Sequence, residues 1–214
     1  MEFKGIMGGL NAVMEWIMRL AYVNLLWIFF TFAGAVVFGM MPAAAGLFAV
    51  TRKWVMGVTD APVFKTFWDT YRSSFVKVNL LGLGFLAVGF IFYIDYLFIR
   101  SVGGITAQIL TIVLFSAVLL YLITFVYLFP VYVHFRLSAL QYLKISFLIG
   151  VSNLPSTLIM AVGVVAVYLF LRVVPGMFLF FSGSLLSLIF MWAAYRAFLK
   201  IERQQQLNEG GNES

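Results

Sequence analysis

The sequence predicts an all-α fold, a polytopic transmembrane helical bundle of about five spans with amphipathic interfacial helices on the cytoplasmic side. Three observations predict it. The 214 residues are 64% hydrophobic and 10% charged, with a mean hydropathy of +1.04, whereas soluble domains carry about 25% charged residues. The apolar residues gather in runs long enough to cross about 30 Å of hydrocarbon. Aromatic and basic segments with helical periodicity lie between these runs.

The composition excludes several classes of protein. The chain has no cysteine, which rules out disulfides, thiolate nucleophiles and cysteine-ligated metal sites. The net charge is +6, and because the basic residues lie beside apolar runs, we expect them to meet anionic lipid head groups rather than nucleic acid. Residues 1–22 lack the basic start and the cleavage site of a secretory signal, so we expect the first span to be retained.

The apolar runs define one transmembrane domain over residues 1–200, and a polar tail that we expect to be cytoplasmic follows over residues 201–214. From its Gln-rich start onwards the tail has a composition typical of disorder. Two boundaries remain open. The fourth run extends back towards Ile145 if Pro155 lies in its first turn or kinks it, and the third run continues past Pro130 if the helix bends there. The predicted spans are 20–41, 78–99, 105–129, 156–172 and 176–195.

The basic residues are distributed unevenly between the two sides of this arrangement. Ten of the 14 Lys and Arg residues fall on one side, which the positive-inside rule assigns to the cytoplasm. The prediction is therefore a multi-pass protein of the cell membrane with its N-terminus outside and its C-terminus inside. A half-span or re-entrant piece near residues 42–56 would invert the side of the N-terminus. The ten residues are Arg52, Lys53, Lys65, Arg72, Lys77, Arg136, Lys144, Arg196, Lys200 and Arg203.

The loop after the first span contains a two-faced helix over residues 62–77. Aromatic residues fall on one side of a 3.6-residue spiral, and charged or hydroxyl residues fall on the other. We expect this helix to lie in the membrane interface, with its aromatic face towards the head-group boundary or against the bundle. The aromatic face comprises Phe64, Phe67, Trp68, Tyr71 and Phe75, and the polar face comprises Lys65, Asp69, Arg72, Ser73 and Lys77.

Two further segments have the pattern of short interfacial helices. Residues 43–56 form the first, in the same loop as the two-faced helix. Residues 131–148 form the second, and helical spacing places His134, Ser138 and Gln141 on one stripe of it. Both are expected on the cytoplasmic side of the membrane.

Asp95 is the strongest candidate for a solute or proton site, because it is the only acidic residue within a predicted span. A carboxylate at the centre of a bilayer costs about 2.5–3.5 kcal/mol on insertion scales, so such a residue needs a reason. In one interpretation, Asp95 with Tyr93 and Tyr96 holds a proton, a cation or a sugar hydroxyl. In the other, Asp95 lies close to the outer end of its span and reaches water or pairs locally with Arg100.

The sequence contains no pattern of catalytic or metal-ligating residues. Its one histidine, His134, has no second His, no Cys and no cluster of carboxylates with which to hold a metal ion. No His and Asp pattern is present to activate a Ser or Thr hydroxyl, and no nucleotide-binding glycine loop occurs. We therefore expect no enzymatic activity, no metal and no cofactor.

Three stretches of the sequence, taken in order, resemble one known family. The first is NLLW at residues 24–27, the second is Pro42 followed by AAAGLFAVTRKW, and the third is FKTFWDTYRSSFVK before the second span. Together they resemble the YesL family of bacterial integral membrane proteins. The chain departs from that family where Ser74 replaces a common Asn, and where a Pro-x-x-T-x-G-P-like passage is reduced to Gly34, Gly39 and Pro42.

The resemblance implies a modest set of functional expectations. The YesL family has no established biochemical activity, and its members tend to be encoded beside sugar ABC importers and polysaccharide-degrading enzymes. A non-enzymatic accessory or regulatory partner of a carbohydrate ABC import system is therefore expected, with membrane lipids, ABC permease subunits and a second copy of the chain as partners. A small-solute or proton-coupled transporter that uses Asp95 is the alternative. The candidate partner or lipid surface is Arg52, Lys53, Lys65, Arg72, Lys77, Phe67 and Trp68.

Overall fold

The computed structural model describes the backbone of residues 2–210 and the side chains of residues 9–203. All regular structure in this part of the chain is helical, and five of its helices, α1, α3, α4, α6 and α7, are long and apolar enough to cross a membrane. The predicted all-α fold is confirmed. The helices are α1 (Glu2–Ala33), α2 (Val37–Val55), α3 (Val63–Val102), α4 (Gly104–His134), α5 (Ala139–Ser152), α6 (Leu154–Val173) and α7 (Phe178–Gly210), with a 3-10 turn at Pro175–Met177.

The first span ends earlier than the predicted 20–41. The helix α1 stops before a turn at residues 34–36, where the chain reverses. Ala35 and Val36 have positive φ values of 57° and 62°, which residues with a Cβ rarely adopt, and the N–H of Val36 donates to the carbonyl of Thr31 over 2.9 Å. The turn consists of Gly, Ala and Val, so hydropathy cannot distinguish it from the interior of a span.

The segment 43–56, predicted as an interfacial helix, belongs to α2, which lies inside the bundle. It contacts α1, α3, α4 and α7. Its small residues allow this close packing: Ala43 and Ala45 are fully buried, and a Cβ added to Gly46 would lie 3.0 Å from the carbonyl oxygen of Phe67. The interfacial prediction is wrong here, because small residues suit close helix contact and the basic residues are confined to the last turn.

A proline inside α2 is compensated by a side chain from α3. Pro42 has no N–H, so it cannot donate to the carbonyl of Phe38 four residues earlier. The side-chain amide of Asn79 donates to that carbonyl instead, over 2.9 Å. In a membrane, a freed backbone group has to be paired by a neighbouring group. This bond therefore also sets the register of α2 against α3.

The helix α3 is continuous over 40 residues, which makes it about 60 Å long at 1.5 Å per residue. The segment 62–77 forms its first part and is not a separate surface helix, so the interfacial prediction is wrong for this segment too. The aromatic face packs against the bundle, the second of the two positions expected for it. The ring of Phe30 on α1 lies 5.3 Å from that of Phe67 and 5.1 Å from that of Tyr71. The Tyr71 hydroxyl donates to the Phe30 carbonyl over 3.3 Å.

The predicted single helix over 131–148 is divided in two. The helix α4 continues past Pro130, as one open boundary allowed, and ends at His134. A capping box begins α5: the Ser138 side chain accepts from the backbone, and Gln141 Oε1 accepts from the Ser138 N–H over 2.9 Å. The single-helix prediction is wrong because this cap starts a new helix and leaves the residue after α4 extended.

A break at Asn153 separates α5 from α6. Pro155 lies in the first turn of α6, which is one of the two positions expected for it. The Thr157 hydroxyl donates to the Gly150 carbonyl over 2.8 Å and lies 3.1 Å from the Tyr127 hydroxyl on α4. These hydrogen bonds pair polar groups beside the break and join it to α4.

The last helix extends well past the predicted fifth span. That span, 176–195, begins in the 3-10 turn, and α7 continues to Gly210. Residues 204–210 are therefore helical, which contradicts the disorder predicted for them, while residues 211–214 lie outside the described part of the chain. A helix that has already formed adds residues at little free-energy cost, even through polar sequence.

The N-terminal part of α1 lies at the same end of the bundle as the C-terminal part of α7. The rings of Trp16 and Trp54 are 5.6 Å apart, and both residues line one cleft with Trp192 of α7. Arg19 lies 3.8 Å from Asp60 in the loop after α2. The prediction that the two termini lie on opposite sides is therefore wrong, because α2 returns the chain to its starting end, as the re-entrant alternative requires.

Accessibility labelling will test this arrangement. Because the native chain has no cysteine, Asn11→Cys, Asp60→Cys, Ser101→Cys and Arg203→Cys can each supply the only thiol. In sealed vesicles, a membrane-impermeant maleimide should label Asn11→Cys and Arg203→Cys from one side and Ser101→Cys from the other. Asp60→Cys is the control, since residue 60 lies on the same side of the membrane as residue 203 both in the predicted arrangement and in the structure. Labelling of Asn11→Cys from the Ser101 side would restore the arrangement with termini on opposite sides.

Candidate functional site

Four helices, α2, α3, α4 and α7, contribute residues to the end of the bundle where α2 ends, here called the basic end (Arg52, Lys53, Lys65, His134 and Glu202). The Nε–H of Arg52 donates to Nδ1 of His134 over 3.3 Å. The other ring nitrogen, Nε2, lies 3.7 Å from Oε1 of Glu202 on α7. Because Nδ1 accepts a hydrogen bond, the proton of the neutral imidazole is on Nε2, facing the carboxylate. These contacts join the ends of α2, α4 and α7.

A polar cleft of about 400 Å³ opens beside this contact, mainly between α2 and α3. The Nζ of Lys53 donates to Oγ1 of Thr66 over 2.9 Å, which uses one of its three protons. Lys65 and Asp69 also line the cleft, and both are exposed. The cleft is therefore suited to an acidic side chain, although Asp69 offsets part of its positive charge.

The structure separates the seven residues of the predicted partner or lipid surface. Phe67 is fully buried, so its assignment to that surface is wrong; it packs against Phe30 instead. Lys77 donates to the Leu137 carbonyl over 2.6 Å and lies 4.8 Å from the ring of Tyr142, so it joins α3 to α5. Arg52 and Lys53 of α2 donate to His134 and to Thr66 as described above. Three residues of the set, all on α3, stay exposed.

These three belong to an exposed row along the first part of α3, here called the α3 stripe (Phe64, Lys65, Trp68, Arg72 and Val76). Four of its members are spaced four residues apart and therefore share one face of the helix: Phe64, Trp68, Arg72 and Val76. Phe64 is 50% exposed, Trp68 is 37% exposed and Val76 is 79% exposed, and the two basic residues are exposed as well. Aromatic residues and Arg are enriched in protein interfaces. The stripe therefore has a composition suited to a protein partner.

The structure does not bring together the predicted solute or proton site. Asp95, Tyr93 and Tyr96 are all exposed, and at 100° per residue Tyr93 lies about 160° around the helix from Asp95. Asp95 borders a shallow pocket between α3 and α4 whose other lining residues are apolar. Arg100 lies 5.8 Å from the ring centroid of Tyr96, and among the described side chains no ion pair joins Arg100 to Asp95.

Asn24 joins α1 to the beginning of α7. An interhelical hydrogen bond is the role expected of a polar residue within a span, but the sequence does not indicate which helix it meets. It is fully buried. Its Nδ2 donates to the Leu179 carbonyl over 2.7 Å, and its Oδ1 accepts from the N–H groups of Gly183 and Ser184, each over 2.9 Å. One amide therefore pairs three backbone groups of α7. The only signal in the sequence is the NLLW stretch, which does not indicate the helix that the amide meets.

The buried polar residues of the described part of the chain are uncharged. Residues 9–203 contain no group of three His, Cys, Asp or Glu side chains that could hold a metal ion. In the same range, every buried polar residue is an Asn, Ser or Thr apart from buried tyrosines. A buried carboxylate, imidazole or amine with which to move a proton is therefore lacking from this core.

Residues 20–96, which run from α1 into α3, match the family described as "Protein of unknown function, DUF624". Three proteins of Bacillus subtilis (strain 168) are similar along nearly the whole chain. Uncharacterized protein YteU is 42% identical over 207 residues, 95% of this chain and 91% of YteU. Uncharacterized protein YesL is 39% identical over 201 residues (94% and 95%), and uncharacterized protein YesV is 37% identical over 195 residues (91% and 94%). No solved structure matches the chain.

Proposed function

Since the chain belongs to the DUF624 family of YesL-like membrane proteins, we propose that it is a non-enzymatic accessory or regulatory partner of a carbohydrate ABC import system. It docks on the permease subunits of that system through the α3 stripe. The observation that carries the proposal is the exposure of aromatic and basic side chains on a segment whose other face is buried. The resemblance to the YesL family supplies the class of partner.

Two side chains of the α3 stripe are well suited to contact with a protein partner. The ring of Trp68 stacks on that of Tyr71, with centroids 5.9 Å apart and planes 14° apart, so Trp68 loses little side-chain freedom when a partner covers it. Arg72 is exposed one helical turn further on and offers five N–H donors. Trp and Arg are the residues most often found among the energetic centres of interfaces.

The mixture of charges along the stripe favours a protein over a lipid surface. A helix that lies on lipid separates its apolar face from its basic face. On α3, by contrast, the acidic Asp69 is exposed beside Lys65, so the charged part of this surface is not purely basic. A protein partner offers both apolar patches and charges of either sign, so it can match this pattern.

We expect the basic end, and the α3 stripe beside it, to face the cytoplasm. Arg19 lies at this end and joins the ten basic residues that the sequence already assigns there. Arg100 and Arg172 lie in the last turns of α3 and α6, towards the opposite end of the bundle. This asymmetry is stronger than the one read from the sequence, and the positive-inside rule assigns its basic side to the cytoplasm.

Small-solute or proton-coupled transport through Asp95 is the alternative, and it has less support. Asp95 is exposed and stands apart from Tyr93 on the helix surface. A transport pathway through a bilayer needs linked polar or ionisable groups. The buried part of residues 9–203 contains no charged side chain, whereas docking on a permease requires none.

Co-purification will test the proposal. When the chain is co-expressed with the permease subunits of a sugar ABC importer from the same bacterium, wild type should retain those subunits in mild detergent. The double variant Trp68→Ala/Arg72→Glu should reduce their recovery at least tenfold, because loss of about 1.4 kcal/mol weakens binding by a factor of ten and interface Trp and Arg residues often contribute about 2 kcal/mol each.

The matched control is Arg100→Glu, which makes the same change of charge on α3 at the opposite end of the bundle and should leave recovery unchanged. Both variants must give the thermal unfolding midpoint of wild type to within a few degrees. Equal recovery of the permease subunits with wild type and with the double variant would contradict docking through the α3 stripe.

A further inference from the structure

The polar cleft of about 400 Å³ at the basic end has the charge of an anion-binding site. Three basic residues line it, Arg52 and Lys53 from α2 and Lys65 from α3, and Asp69 is the one acidic residue of its wall. Three positive charges and one negative charge leave the wall with a net charge of +2. The volume falls in the lower part of the usual range for small-molecule sites, about 300–1,000 Å³.

Two of the cations of the cleft are held partly inside the protein without a counterion. Arg52 and Lys53 are half-buried, and their hydrogen-bond acceptors are the imidazole of His134 and the hydroxyl of Thr66. Among the described side chains, no ion pair involves the three basic residues of the cleft. A charge removed from water is costly unless an opposite charge compensates it. The unpaired cations therefore point to an anion bound in the cleft.

The basic side chains of the cleft retain N–H donors for such an anion. Arg52 uses its Nε–H on His134, which leaves the N–H groups of its two terminal nitrogens. Lys53 uses one of its three protons on Thr66, and Lys65 is exposed. Guanidinium and ammonium groups bind phosphate oxygens through charge-assisted hydrogen bonds, which are stronger than neutral ones.

The first turn of α3 adds to the positive potential of the cleft. Pro62, the residue that precedes the helix, makes no side-chain capping hydrogen bond, and the first turn contains no acidic residue. Pro62, Lys65 and Thr66 all line the cleft. The N-terminus of a helix is equivalent to about half a positive charge. This contribution reinforces the site that the three cations make.

From the net charge, the unpaired cations and the remaining donors, we propose that the cleft binds a phosphate monoester. Near neutral pH this group carries a charge of about −1.5 to −2 and three strong acceptor oxygens, which matches the wall. A carboxylate or a phosphodiester carries one negative charge and would compensate only half of the wall. The site is lined by neither Trp68 nor Arg72, so the proposal goes beyond docking on a permease and does not depend on it.

Phosphate monoesters reach the basic end from two sources: soluble phosphorylated compounds, and phosphatidic acid, whose head group lies at the membrane surface. Isothermal titration calorimetry distinguishes them, with the purified full chain in a mild non-ionic detergent and a phosphate-free buffer near neutral pH. One probe is glycerol 3-phosphate, and the other is dioctanoyl phosphatidic acid, which adds two short acyl chains to the same phosphate and glycerol. Dioctanoyl phosphatidylglycerol is the phosphodiester comparison.

We expect at least one of the two monoester probes to bind in a 1:1 ratio. Binding of phosphatidic acid at least tenfold tighter than glycerol 3-phosphate assigns the site to the lipid head group. Equal affinities, or binding of glycerol 3-phosphate alone, assign it to a soluble compound. Lys53→Gln/Lys65→Gln should weaken binding at least tenfold. The matched control is Lys144→Gln/Lys200→Gln, which removes two exposed lysines outside the cleft and should leave the affinity unchanged.

Asp69→Asn should tighten binding several-fold, because it removes the one negative charge of the wall. A gain of affinity cannot result from misfolding, so this variant decides the proposal even if Lys53→Gln/Lys65→Gln fails to fold. The proposal is overturned if neither monoester probe binds, if phosphatidylglycerol binds as tightly as phosphatidic acid, or if Asp69→Asn leaves the affinity unchanged. Wild-type affinity in a folded Lys53→Gln/Lys65→Gln variant would overturn it as well.

Discussion

Replacing Gly39 with alanine should lower the free energy of unfolding by about 3 kcal/mol, the upper part of the usual range for overpacking. Gly39 lies where α2 leaves the turn and passes against the end of α1. A Cβ built on it would lie 2.6 Å from the carbonyl oxygen of Phe30, 2.9 Å from the Cα of Gly34 and closer still to the carbonyl oxygen of Thr31. These are backbone atoms, so they cannot move aside without displacing α1.

The measurement is the free energy of unfolding in mixed detergent micelles, followed by far-UV circular dichroism. The control is Gly84→Ala on the exposed surface of α3, where an added Cβ meets nothing within 4 Å. Alanine is the better helix former by about 0.8–1.0 kcal/mol, so this change should be neutral or stabilising. Equal stability of Gly39→Ala and wild type would contradict the close crossing of α1 and α2.

Replacing Asn24 with leucine should lower the free energy of unfolding by about 2–3 kcal/mol. The change leaves the Leu179 carbonyl and the N–H groups of Gly183 and Ser184 without the amide that pairs them. Side-chain hydrogen bonds inside membrane proteins average about 0.6 kcal/mol and reach about 1.7 kcal/mol, and Asn24 makes three of them in a fully buried position. We expect α1 and α7 to separate before the remaining helices unfold.

The same unfolding titration checks this, together with crosslinking between cysteines placed on α1 and α7. The matched control is Asn79→Leu, which removes one hydrogen bond, to the Phe38 carbonyl, and should therefore cost about 0.6 kcal/mol. If Asn24→Leu cost no more than Asn79→Leu, the three bonds would not act together as a link between α1 and α7.

The first part of α3 packs one face against the bundle and leaves another face exposed. Phe67 and Tyr71 are buried against Phe30. The ring of Trp68 also lies 5.3 Å from that of Phe30, but Trp68 stays 37% exposed, and Arg72 is exposed as well. An amphipathic pattern indicates that one face of a helix is apolar, but that face can be buried either in a membrane surface or against a neighbouring helix. The structure distinguishes them because α1 ends beside α3 and supplies the aromatic partner.

The candidate sites differ in how far the sequence could predict them. Helical periodicity alone predicts that Lys65 and Arg72 are exposed, because they lie on the charged face of the helix. It groups Trp68 with the buried Phe67 and Tyr71, and only the structure shows that Trp68 is 37% exposed. The partner of Asn24 could not be predicted, since the link depends on residues of α1 and α7 that are more than 150 positions apart. Single-helix patterns contain no information about such pairs.

Composition and local periodicity by themselves determined that the chain is a helical membrane protein, roughly where its long spans lie, and which end is basic. These properties depend on hydrophobic burial and on the 3.6-residue repeat, which act over one helix at a time. Only the tertiary structure decided that the first span ends before Gly34, that α2 returns through the bundle, and that the two termini share one end. The reversal depends on the contact between Gly34 and Gly39, and the apolar residues of the turn look like any other stretch of hydrocarbon.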